Sequence, residues 1–90
     1  MDTKIIFNHL RVRRKMMGYT LKQIAFLLEL PDTSLPSRCE RGISCPTHGD
    51  MLKLAIIYGT SCDSLYIDYR NDLREVINQR YQLMLAQKIV

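Results

Sequence analysis

The sequence predicts an all-α protein, five short helices followed by a longer C-terminal one. Three observations carry this. Apolar residues recur every three and four positions almost throughout. Turn residues, among them Gly18, Pro31, Gly42, Pro46 and Gly59, interrupt that pattern at close intervals. No run alternates with period two while rich in Val, Thr or aromatic residues, as a strand would.

Taken in order, Ile5, Ile6, His9/Leu10, Val12/Arg13 and Met16/Met17 place a first helix over residues 5–17, and Gly18 stops it. Thr20 followed by Gln23 is a capping-box signature for a second helix over residues 21–28. Its expected buried side is Ile24, Leu27 and Leu28, with Ala25 small enough for close helix approach. Residues 30–34 read as a turn.

A short third helix of under two turns follows, over about residues 36–41. Pro36 is tolerated there because a first-turn N–H has no helical partner. Its ring disfavours the α region for Leu35, so Thr33 and Ser34 are expected in the turn. Thr47 with Asp50 opens a fourth helix, whose apolar face is Met51, Leu52, Leu54, Ala55 and Tyr58. Ser61 caps a short turn carrying Cys62, Leu65 and Tyr66. From about Asp68, Leu73, Val76/Ile77, Arg80/Tyr81 and Met84 mark the last helix.

Composition narrows the function. Ninety residues provide one core, and 47% hydrophobic residues are enough to fill it, although there is no tryptophan. No apolar run approaches the ~20 residues that span a bilayer, and residues 5–7 are too short a run for a signal-peptide core. The expectation is a soluble, cytoplasmic protein without membrane contact. The methionines at helical spacing, Met16, Met17, Met51 and Met84, read as core fillers. There is no Gly-rich phosphate loop, nucleophile–base set or carboxylate pair, so neither an enzyme nor a cofactor is expected.

Net charge is +4, which is compatible with a polyanionic partner. Arg11, Arg13, Arg14 and Lys15 cluster in the first helix, and Arg38 and Arg41 lie one turn apart. The three cysteines, Cys39, Cys45 and Cys62, have no framework spacing and read as reduced thiols. A zinc site from Cys45-x-x-His48 with Cys39 and Cys62 has only one ligand spacing of the usual kind, so no metal is expected.

Helices two and three have the proportions of a helix-turn-helix, or equally of a generic αα-hairpin. The ordered set Gly18-Tyr19-Thr20, Ile24-Ala25, Leu28, Glu40-Arg41-Gly42, Pro46, Leu52, Leu54-Ala55, Gly59, Ser61, Asp63 and Leu65 resembles the Cro/lambda-repressor (XRE) family, from about Leu10 to Tyr66. "LLELPDTSLPSRCERG" is similar to a subset with one extra residue in the turn. Leu21 stands where many members have a phosphate-binding glutamine, leaving Lys22 and Gln23 as substitutes.

The resemblance implies a five-helix DNA-binding domain over residues 1–66, with residues 67–90 as an added amphipathic helix that dimerises or covers the core. It implies a sequence-specific transcriptional regulator, a repressor of phage or bacterial type, binding a double-stranded operator as a homodimer. The last helix is then also a possible contact for a protein partner. Arg38 is the expected base reader, with Thr33, Ser34, Ser37 and Arg41 beside it and Thr47 and His48 as phosphate contacts. Ser34 can equally cap the helix. Glu40 is expected to bond within the domain, to an arginine of helix one such as Arg14, and Cys39 to lie in the core. The rival is a helix-turn-helix-fold interaction module, antitoxin-like or polymerase-contacting, that reads DNA weakly.

Overall fold

The structure, a computed structural model, describes residues 5–89. Six helices follow one another: α1 (Leu10–Met17), α2 (Leu21–Leu27), α3 (Ser34–Glu40), α4 (His48–Tyr58), α5 (Cys62–Leu65) and α6 (Ile67–Gln87). The described residues contain no strand and no helix long and apolar enough to cross a membrane.

Local chemistry sets most of the boundaries. Thr20 Oγ1 accepts the Gln23 N–H at 3.1 Å while Gln23 Oε1 accepts the Thr20 N–H at 2.8 Å, so the capping box forms in full. Thr47 and Ser61 cap α4 and α5 by accepting from Asp50 and Ser64. Gly18 and Gly59 end α1 and α4 in the left-handed conformation.

Two boundaries depart from the sequence pattern. The first helix begins at Leu10 rather than at Ile5. Asn8 is the cause: its Oδ1 accepts the Leu10 N–H at 3.1 Å, and its amide donates to the carbonyl of Cys39 at 2.8 Å. The preceding backbone is drawn onto the end of α3, where Ile6 N–H bonds the Gly42 carbonyl at 3.0 Å. A side chain on Gly42 (φ +78°) would collide with the backbone of Ile6, so this close approach requires glycine. Residues 5–8 thus gain tertiary hydrogen bonds that a longer helix would forfeit.

The third helix starts two residues before Pro36, not at it. Asp32 Oδ1 accepts the Ser34 N–H at 2.9 Å, and the first helical donor is Ser37, bonding Thr33 O at 3.0 Å. Pro36 occupies the third helical position, the last whose N–H would have no partner. Its ring is buried, and that packing outweighs the mild restriction on Leu35. Ser34 is therefore helical, and only Thr33 remains in the turn.

The core is one cluster of Leu10, Ile24, Leu28, Cys39, Leu54, Tyr58 and Leu65, drawn from α1 to α5 and the end of α2, with Tyr19, Leu30, Leu35, Met51, Ile57 and Tyr66 packed around it. The apolar pattern over-assigned it. Met16 and Met17 are exposed because α1 turns only Leu10 and Arg14 inward. Leu27 and Leu52 face solvent from the outer sides of α2 and α4. α6 does not cover the core, for none of its residues is buried and its helix contact is with α5. The radius of gyration is accordingly 16.2 Å, against about 12 Å for a compact chain of this length.

Burial raises the Cys39 thiol to about 11 and the Tyr58 hydroxyl to about 12. Both keep their protons in the folded protein at pH values where the unfolded chain loses them. Stability is expected to begin to decline as the pH approaches 9, where the unfolded thiol ionises. It should then fall with rising pH by up to about 1.4 kcal/mol per unit for each group, as urea denaturation between pH 8 and 11 would reveal.

Glu29 follows α2 with φ +58°, a strained value for a residue other than glycine. Its 3.6 Å pair with Lys53 is exposed and adds little. Glu29→Gly is expected to raise stability by up to about 1 kcal/mol, read as a shift in the urea midpoint.

Candidate nucleic-acid interface

α3 is the element on which the candidate residues converge, and its position follows from what lies beneath it. Leu35 and Pro36 turn inward with Cys39, while Ser34, Ser37, Arg38 and Arg41 fall on the outward side at helical spacing. Ser34 thereby joins the face one turn before Arg38. Thr33, half-buried, occupies the N-cap position but makes no side-chain cap bond; Asp32 supplies it.

The inner side of α3 ends in a charge pair. Arg14 Nε meets Glu40 Oε2 at 2.6 Å and Nη2 meets Oε1 at 3.1 Å, a two-pronged contact with both side chains nearly closed to solvent. Arg14 Nη1 also donates to the Tyr19 carbonyl at 3.1 Å, so one guanidinium ties α1, the α1–α2 turn and α3 together. The hydrogen bonds to Glu40 hold the Arg14 pKa above its ordinary value against the opposing effect of burial. Glu40 sits at the negative end of the α3 dipole, where a carboxylate is disfavoured unless a cation offsets it.

On the outer side, Arg38 and Arg41 have no carboxylate within ion-pair distance among the described residues. Arg41 Nε leans on the Ser37 carbonyl at 3.4 Å. Lys22 and Gln23 are exposed at the start of α2. Because the Gln23 carbonyl oxygen is taken by the Thr20 N–H, the amide NH2 is what Gln23 can offer a ligand. Thr47 and His48 are exposed at the start of α4, where the His48 and Gly49 N–H groups lie ahead of the capped Asp50. Such a terminus suits an anion.

Cys39 lies in the core, Cys45 on the surface, and Cys62 donates to the Met51 carbonyl at 3.7 Å. Among the described residues no three His, Cys, Asp or Glu side chains gather as a metal set.

The sequence reading missed two contributors. Asn8 anchors the chain to the α3 C-terminus, and the signal for it was an asparagine two residues before the first buried apolar residue. Asp32 caps α3 beside Arg38, whose charge, after the bonds from Ser34, helps hold its carboxyl below the usual range. No protein-family model, curated protein or solved structure matches the chain.

Breaking the Arg14–Glu40 pair from either side would strand a buried charge. Arg14→Ala or Glu40→Ala is expected to cost about 3–5 kcal/mol, whereas the double replacement Arg14→Met/Glu40→Leu should cost much less. Chemical denaturation of the three variants, analysed as a cycle, measures this.

Proposed function

We propose that the protein is a sequence-specific double-stranded-DNA-binding regulator of transcription, of the repressor kind, with a five-helix lambda-repressor-like domain over residues 1–66. The observation that carries this reading is the outward face of α3. It presents two cations free of carboxylate partners among the described residues, and two hydroxyls, on a short helix whose opposite face is fixed to the core. A helix with that face fits the major groove, whose base edges form a readable code. In this reading Arg38 donates to guanine O6 and N7, and Thr33, Ser34 and Ser37 reach neighbouring bases or phosphates. Arg41, Lys22, Gln23, Thr47 and His48 hold the backbone on either side. Two copies on a twofold site would place their α3 helices one turn of DNA apart, ~34 Å.

A second reading, a protein-interaction module with weak DNA contact, is favoured by one observation. Phe26 and Ile56, both exposed, line a shared groove between α2 and α4 with Leu27, Leu30 and Ile57.

Selection from random duplexes followed by salt-titrated gel shifts separates the two. For the DNA-binding reading, a motif is enriched and Arg38→Ala relaxes one position at a cost of about 1–3 kcal/mol. Arg41→Ala weakens all duplexes alike and flattens the salt slope by about one. Enrichment of no motif, with Arg38→Ala indistinguishable from the parent, would sink it in favour of the interaction module.

A further inference from the structure

α6 sorts its charges by face. At about 100° per residue, Leu73, Ile77, Tyr81 and Met84 lie within about 40° of a line through Ile77, and Arg74 and Arg80 flank that line at about 60° on either side. The three carboxylates of the helix, Asp68, Asp72 and Glu75, lie within about 40° of the opposite pole by the same measure. Leu73, Ile77 and Tyr81 are about half exposed or more, at 49%, 64% and 52%. Arg70 is engaged by Asp63 at 2.9 Å, and Asp68 lies 3.8 Å from His9. Arg74 and Arg80 have no carboxylate within reach among the described residues.

This arrangement selects the occupant of the face. A second α6 packed antiparallel about Ile77 would bring Arg74 of each copy level with Arg80 of the other, on opposite borders of the seam. A parallel pair would bring each arginine level with its own counterpart, again across the seam. Both place four guanidinium groups around one apolar seam, and like charges so juxtaposed oppose association. The carboxylates that would relieve them are on the far side of the helix.

We propose that this face docks an acidic amphipathic helix of another protein. Apolar residues of that helix at i, i+3/i+4 and i+7 lie on Leu73, Ile77, Tyr81 and Met84, the helix-on-helix mode of recognition. Its carboxylates, one on each flank and about 9 Å apart in rise, reach Arg74 and Arg80. The surface makes no use of α2 or α3, so it stands independently of the DNA reading.

The test uses the full chain and two synthetic helical peptides with the same leucine stripe, one flanked by glutamates and the other by lysines. Fluorescence anisotropy should show the acidic peptide binding at least about ten-fold more tightly than the basic one, with the preference shrinking as salt rises. Arg74→Glu/Arg80→Glu, exposed positions whose helicity circular dichroism monitors, should reverse the preference. Equal binding of both peptides, binding of neither, or an unchanged preference in the double variant overturns the proposal. So does a wild-type dimer in sedimentation that Ile77→Asp dissociates, which would assign the face to a second copy. Capture of the chain by phosphatidylserine vesicles without binding of the acidic peptide would assign it to a lipid surface and overturn the proposal equally.

Discussion

The Arg14–Glu40 pair is the constraint on which the position of α3 depends. A seven-residue helix has little stability of its own and takes its place from its contacts. Pro36 and Cys39 supply apolar contact along its inner side, but apolar contact leaves a short cylinder free to slide and rotate. The two-pronged charge contact is directional, fixing both the rotation and the height of the helix end. Because Arg14 also holds the Tyr19 carbonyl, the same group sets α3 relative to the entry of α2. The outward positions of Ser34, Ser37, Arg38 and Arg41 follow from that geometry.

A second set of bonds acts at the same end of α3. Asn8 donates to the Cys39 carbonyl, which also accepts the Gly42 N–H, and Ile6 N–H bonds the Gly42 carbonyl, so the N-terminal segment braces the end of α3. Both ends of α3 are therefore finished by residues outside the helix, Asp32 at the start and Asn8 at the finish. A surface helix built this way presents side chains from a rigid platform, which is what precise placement of a guanidinium against a base or phosphate requires.

The exposed surface divides into regions of different chemistry. The α3 face is polar and basic. The α2–α4 groove is apolar, with the exposed Glu29–Lys53 pair at its edge. The α6 face mixes apolar residues with Arg74 and Arg80, which no carboxylate among the described residues pairs. A chain of ninety residues that spends twenty-one of them on a helix with no buried side chain gains little folding energy from it. The helix instead extends the molecule to 51 Å along its longest axis and presents surface.

What the sequence determined by itself was local. The helical class, the caps at Thr20, Thr47 and Ser61, and the stops at Gly18 and Gly59 all depend on groups within four or five residues of one another, which a linear reading can see. The inward roles of Leu54 and Tyr58 were legible from spacing, while the burial of Cys39 and the partnership of Glu40 with Arg14 were expected only from the family resemblance. Only the tertiary structure decided which apolar residues count as core, since Met16, Leu27 and Leu52 satisfy the same periodicity as Leu10 and Leu54 without an element to cover them. It also decided where α1 and α3 begin, because Asn8 and Pro36 answer to partners thirty residues away or to burial. The face of α6 is the clearest case. Its sequence fixes which side is apolar, but whether that side is covered depends on the direction in which α5 launches the helix, away from the core.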